Sequence, residues 1–379
     1  MREDEGVTAA PFVPPPYPYD RLDELKAVAA RHDGGVVDLS IGTPCDPPPD
    51  AVVAALASSG SERGYPPSIG SAAFREAAAR WLARRIGVDA DPGSIGACVG
   101  TKELVAGIPH WLRLRRPDLD TVLYPAIAYP SYEMGAILAG CRAVPVPVDE
   151  RWSIDLSAID PADAERALCL WVNSPGNPAG GLDDLVAAAE WGRAHGVPVL
   201  SDECYAEFTW DGPPRSILEA GPDGVLAVHS LSKRSNLAGA RSGFYAGDAE
   251  LVHYLREVRK HAGLMMPGPV QAASVVAFDD DAHVDTQRER YRRRLDRCIE
   301  LLREAFGLEV EGPRGGFYLW VQAPGGDAWG FTRRLAEEAG ALVSPGEFYG
   351  PDGATYVRLA VVQPDEQLDL VAQRLSARS

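Results

Sequence analysis

No apolar run in this chain approaches the roughly 18 residues needed to cross a bilayer, and stretches such as Ala167–Val172 are far too short. No membrane association is expected. Cysteine is sparse: there are six, at 45, 98, 141, 169, 204 and 298, and no C-x-x-C pair. That spacing speaks for reduced thiols, several of them small buried hydrophobes, and against a disulfide framework or a zinc site. No metal is expected. Basic residues are also in short supply, 37 Lys and Arg against 54 Asp and Glu, for a formal charge of −17. Nucleic acids and anionic membrane surfaces both reward a basic face, so neither is expected as a partner. The opening MREDEGV lacks the basic and apolar parts of a secretory signal, which points to a cytoplasmic protein. No internal repeat is visible. What remains is a protein approached by small molecules or by other proteins.

The 379 residues, 46% of them hydrophobic, are enough for a large catalytic domain and a smaller companion. Residues 11–18, PFVPPPYP, are too proline-rich for a helix and read as an extended arm docked by its aromatics. A helical pattern follows at Asp20–Arg31, then a short strand within VVDLSIG that breaks into a rigid loop at Gly42–Pro49. From there to about residue 270, β-rich runs alternate with alanine-rich helical ones. Strands are expected at Gly96–Val99, Thr121–Tyr124, Ala143–Pro147, Leu168–Val172, Val197–Ser201, Val225–His229 and Gly243–Ala246. Helices are expected at Ser71–Ile86, Tyr132–Ala139, Leu182–His195 and Ala249–Lys260. Such alternation means βαβ units, hence an α/β fold: a three-layer αβα arrangement around a mainly parallel sheet. After MMPGP the pattern changes. A long charged helix near 284–306 is followed by short strands at Leu308–Val310 and Gly316–Val321, a helix near 329–339 and a strand at Tyr356–Ala360. The expected division is a large domain over 36–272 and a small α+β domain from 1–35 and 273–379.

Ligands of parallel α/β sheets gather at the carboxyl ends of the strands. Those ends carry Asn173-Ser-Pro-Gly-Asn177-Pro-Ala179-Gly, then Ser201-Asp202-Glu-Cys-Tyr205, then Ser230-Leu-Ser232-Lys233 with Arg241 eight residues on. An earlier strand ends in Gly100-Thr101-Lys102 and opens a helix. Taken singly, each has a plain structural reading: Asp202 as a helix cap, the Asn-Pro run as a locked turn, Lys233 as a surface lysine. Together they fit pyridoxal 5′-phosphate (PLP). Its aldehyde takes a lysine as a Schiff base, and its phosphate takes backbone N–H groups, hydroxyls and an arginine. Its ring nitrogen takes a carboxylate, and its ring hydroxyl takes donors such as Tyr205 and Asn177.

These segments, with IGTPCDPPP, GYPPSIGSAAFRE, GTKELVA, AYPSY, GGFYLW and YVRLA in the same order, resemble the fold type I PLP-dependent aminotransferases of the class I/II superfamily. SDECY, VHSLSK, RKHAG and DDDAH are most similar to the actinobacterial N-succinyldiaminopimelate aminotransferases. The resemblance implies that Lys233 holds the cofactor and shuttles the proton, with Asp202 and Tyr205 as its catalytic companions. It implies ring contacts from Asp202, Tyr205, Asn177 and a stacked Tyr129, and phosphate contacts from Gly100, Thr101, Lys102, Ser230, Ser232 and Arg241. Tyr65 would reach the phosphate of a neighbouring subunit, making a homodimer with shared sites. Arg358, with Gly42 and Asn177, would bind the substrate, Arg358 forking onto its α-carboxylate. Ala179 stands where relatives commonly carry threonine.

The implied reaction is amino transfer between glutamate and an acidic 2-oxo acid, N-succinyl-2-amino-6-oxopimelate, in the diaminopimelate route to lysine. Elimination, replacement or carbon–carbon bond formation in specialised metabolism is the alternative on the same scaffold. A PLP-binding transcription regulator is disfavoured by the charge and by the early start of the fold-bearing segments. Three further features complete the reading. RERYRRRLDR (288–297) reads as a solvated helix face, and Asp279-Asp280-Asp281 with His283 as an acidic helix start. Arg259 or Lys260 is a candidate for the distal carboxylate of a substrate.

Overall fold

The alternation along the chain resolves, in a computed structural model that describes residues 11–377, into strands that pair almost entirely within two sheets. In chain order they are β1 (Val37–Asp38), β2 (Ile95–Cys98), β3 (Thr121–Pro125), β4 (Arg142–Val146), β5 (Ala167–Asn173), β6 (Val199–Asp202), β7 (Val225–Ser230), β8 (Gly243–Gly247), β9 (Tyr318–Gln322), β10 (Ala341–Leu342), β11 (Ser344–Pro345) and β12 (Tyr356–Ala360). The central seven-stranded sheet runs β2-β8-β7-β6-β5-β3-β4. Strands β3 to β7 pair in parallel, and β8 lies antiparallel to both β2 and β7. Every residue of β5, β6 and β7 is buried, because helices cover both faces and leave no wet side for alternation. Thr101–Arg115, Ser131–Leu138 and Ala249–His261 pack on one face around Tyr132, Trp171 and Tyr245. Leu185–His195 packs on the other around Leu170 and Val199, and Ala72–Trp81 packs beside it on Phe244. The fold is the three-layer αβα arrangement.

Local chemistry sets the helix ends. The helix expected from Leu182 starts instead at Leu185, because Asp184 accepts from Ala187 N at 3.0 Å and caps it. Gly196, at φ +66°, ends it. Ser71 caps Ala72–Trp81 in the same way, at 3.2 Å from Phe74 N.

We propose that the division lies elsewhere than at 36 and 272. Val37–Asp38 pairs with Ala341–Leu342, and Val37 and Leu39 lie in the apolar core of the smaller unit with Phe317 and Leu359. The first strand therefore belongs to the smaller unit. The second boundary cuts through a helix, Gly268–Asp279, whose Val270, Ala273 and Phe278 pack with Phe74 and Phe244 of the large unit. No strand forms at Leu308–Val310. After Gly307 at φ +66° the Leu308 N–H turns back to Leu302 O at 3.3 Å, and the apolar side chains fill the edge of the small core. Within the arm, Phe12, Val13 and Tyr17 stay exposed, Tyr17 accepting from Lys102 at 3.3 Å; just beyond the arm, Tyr19 meets Tyr349 at 2.8 Å. Asp279 and Asp281 meet Arg80 and Arg84 in exposed ion pairs. No helix among the described residues is long and apolar enough to cross a membrane.

The basic run 288–297 is not a uniformly solvated face. Arg294 is buried and forks onto Asp46 at 2.6 and 2.9 Å, while its Nε reaches Asp365 at 2.6 Å. This clamp ties the loop after Gly42 to the long helix Ala282–Phe306 and to the start of the last helix, Asp365–Ser376. Hydrogen bonds to the Arg294 guanidinium and to Gln287 hold the Asp46 carboxyl below its usual range, against the opposing effect of burial. Arg294→Ala leaves the half-buried Asp46 with Gln287 but no cation, and the expected loss is about 2 kcal/mol of stability, read from denaturant unfolding. A change below about 0.5 kcal/mol would show that the clamp contributes nothing net.

Candidate active site

Register, more than any single motif, assembles the site. Asn173 at the end of β5 stands beside Asp202 at the end of β6, and β7 brings Ser230 to the same edge. The Asn173 side chain laces this edge: Nδ2 donates to Asp202 O at 2.8 Å, and Oδ1 accepts from Asn177 N at 2.8 Å. Over the edge lies a cavity of about 280 Å³. Lys233, Asp202, Tyr205, Thr101, Lys102, Tyr129, Asn177, Ser230, Ser232, Arg241, Gly42 and Arg358 all line it. Gly100 is not among the lining residues; it directly precedes Thr101, which is. Tyr65 does not reach it and stands 96% exposed. Arg259 does not reach it either: it is fully buried and forks onto Glu103 at 3.0 and 2.6 Å. The idea that Arg259 meets a distal carboxylate is thereby overturned, since its charge is already spent on Glu103.

The wall near Gly100 is shaped for an anion. Gly100 adopts φ +75° and opens the helix Thr101–Arg115 with no side-chain cap, leaving the first N–H groups toward the cavity. A β-carbon on Gly100 would sit 2.2 Å from Arg241 Nη2, so the guanidinium lies directly on the helix start. Arg241 itself is held at φ +58°, a left-handed backbone that costs a non-glycine residue about 1 kcal/mol.

Opposite lies Lys233. Its Nζ donates to Gly42 O, and burial, reinforced by Arg358 and Arg241, lowers its pKa to about 8. Asp202 is buried and receives Tyr132 Oη at 2.9 Å and Cys204 N at 3.2 Å. Burial raises its pKa against those hydrogen bonds, and no basic side chain among the described residues pairs with it. Arg358, 2% exposed, donates to Asn177 Oδ1 at 2.7 Å and to Ser40 O at 2.5 Å. Among the described residues it meets no carboxylate, and its Nε has no hydrogen-bond partner.

Several side chains of the site were not singled out by the sequence. Tyr132 is the buried donor to Asp202, Asn173 is the lacing amide, and Tyr318 meets the Tyr205 hydroxyl at 2.8 Å. Tyr19 reaches Arg358 Nη2 at 3.3 Å. Tyr132 sits one helical turn after Tyr129 in AYPSY, a spacing that offered the only signal.

The family model for aminotransferase class I and II matches residues 34–375. The chain belongs to the class I and II aminotransferases. It is 43% identical to 4-dedimethylamino-4-oxo-anhydrotetracycline transaminase OxyQ of Streptomyces rimosus, over 96% of this chain and 99% of that protein. It is 35% identical to the LL-diaminopimelate aminotransferase of Aquifex aeolicus, over 95% of this chain and 96% of that protein. Among solved structures it is similar to a probable N-succinyldiaminopimelate aminotransferase from Thermus thermophilus, with 33% identity and a TM-score of 0.84, covering 95% of this chain and all of that one.

The aminotransferase is PLP-dependent, and its residues fit the group. An uncapped helix start beside Arg241 suits a phosphate. The unpaired buried carboxylate of Asp202 suits a protonated ring nitrogen, and a cavity-facing lysine of lowered pKa suits an aldehyde. Two outcomes test the fit. The neutral amine is the reactive form, so the rate at which the apoprotein takes up PLP should rise as pH rises through about 8, followed by its visible band. A midpoint near the ordinary lysine value of about 10.4 would contradict the burial of Lys233. Gly100→Ala, strained at φ +75° and crowding Arg241, should weaken PLP binding about tenfold or more in an equilibrium titration.

Proposed function

We propose that this cytoplasmic aminotransferase moves an amino group between glutamate and an acidic 2-oxo acid, N-succinyl-2-amino-6-oxopimelate, as a homodimer. Arg358 carries the reading. A buried guanidinium with no anion and an idle Nε is costly to leave so, and a substrate carboxylate completes it through a bidentate fork. The likeness to diaminopimelate-type aminotransferases supports the same substrate class.

PLP, when bound, supplies an electron sink for the carbon that loses a proton. Lys233 Nζ takes that proton from the substrate α-carbon, a task suited to an amine whose pKa lies near 8. Asp202 holds the ring nitrogen in its protonated form. Because Asn177 Oδ1 is occupied by Arg358, its amide N–H is left to donate to the ring hydroxyl beside Tyr205. Tyr129 covers the ring face. Thr101, Lys102, Ser230, Ser232 and Arg241 hold the phosphate, with the exposed Tyr65 serving the site of a second copy.

The 43% identity to the Streptomyces rimosus enzyme favours one second reading, amino transfer to a ketone of the kind that enzyme's name describes. A glutamate-driven assay with both acceptor classes separates the two. Arg358→Lys should lower kcat/KM for the acidic acceptor by about 10- to 100-fold, and Lys233→Ala should abolish turnover. An Arg358→Lys enzyme with unchanged kcat/KM for glutamate would remove the carboxylate role.

A further inference from the structure

Tyr318, on β9, is a buried phenol to which the reading above gives no task. It is 2% exposed and lines the cavity. Its hydroxyl lies 2.8 Å from that of Tyr205, and its ring lies under Arg358, with Cζ 4.2 Å from the ring centre. A β-carbon on Gly42 would sit 2.0 Å from the Tyr318 hydroxyl, so the loop whose carbonyl accepts from Lys233 rests on the same group.

We propose that Tyr318 is a positioning residue that orders the Tyr205 hydroxyl as a donor toward the cofactor's ring oxygen. The proposal rests on the role given to Tyr205 above. A phenol has one proton to give. Burial pushes Tyr318 up to about 12 and Tyr205 well above the usual range, so both keep their protons at neutral pH. When Tyr205 spends its proton on the ring oxygen, the bond between the two phenols can only run from Tyr318 to Tyr205. A hydroxyl that accepts a hydrogen bond becomes a stronger donor in its own. The ring of Tyr318 meanwhile supports the Arg358 guanidinium from its face. One side chain thus serves the cofactor through its hydroxyl and the substrate anchor through its ring, and the two parts are separable.

Tyr318→Phe removes the hydroxyl and keeps the ring. In the PLP-loaded enzyme without substrate, the pH midpoint of the visible absorbance change should rise by about half a unit. kcat should fall, while KM for glutamate stays within about twofold. In a Tyr205→Phe background the same substitution should leave the midpoint unmoved. Replacing Tyr318 with 3-fluorotyrosine, which keeps the shape and strengthens the donor, should move the midpoint down. An unmoved midpoint in Tyr318→Phe, or an equal shift in the Tyr205→Phe background, would overturn the proposal. If Tyr318→Phe does not fold, an unmoved midpoint with 3-fluorotyrosine overturns it instead. A wild-type chain with no titrating visible band would count against the cofactor role of Lys233, a separate failure.

Discussion

The Asn173 side chain holds the site together. One amide spans the gap between the ends of two parallel strands and fixes the turn that presents Asn177. Parallel strands have no direct turn between them, so their carboxyl ends splay into separate loops that nothing in the ladder aligns. A buried side chain with both a donor and an acceptor can join such loops, and it does so only if both its groups are satisfied. Asn177 and, through Asn177, Arg358 take their positions from this amide, while strand register places Asp202.

Electrostatics gives the cavity its character. The chain carries −17 overall, yet the cavity gathers Lys102, Arg241, Lys233 and Arg358 against the single carboxylate of Asp202. Three buried arginines elsewhere are matched: Arg259 with Glu103, Arg294 with Asp46, Arg234 with Glu207 at 3.1 Å. The contrast marks function. A fold that pairs these arginines leaves Arg358 and Asp202 without ionic partners among the described residues, where the ligands proposed above would complete them. A basic cavity under an acidic exterior would also draw the anionic substrate proposed above to a protein of negative charge, because short-range fields in a low-dielectric cleft outweigh a screened surface.

Strand ends were the legible part of the site. Lys233, Asp202 and Tyr205 stood out because PLP chemistry calls for those residue types just past the ends of successive strands, and apolar runs reveal where strands end; Arg358, inside β12, was named only through the family resemblance. Tyr132, Tyr318 and Tyr19 were not readable. A phenol on a helix, on a strand of the smaller sheet or in a proline-rich arm looks in sequence like any half-buried aromatic, and its partner lies 70, 113 or 339 residues away. Arg259 illustrates the converse error. Its place at a basic helix end suggested an exposed substrate contact, and only the packing of that helix on Glu103 revealed a buried structural pair.

The sequence by itself determined the αβα class and the cofactor, since hydrophobic periodicity and side-chain chemistry are local properties. Tertiary structure alone decided how the first strand pairs. The two-residue strand Val37–Asp38 has no pattern of its own and joins whichever edge is free, here that of Ala341–Leu342. It also decided which charges remain unpaired. Pairing depends on distances between segments far apart in the chain, and no spacing along the sequence encodes them.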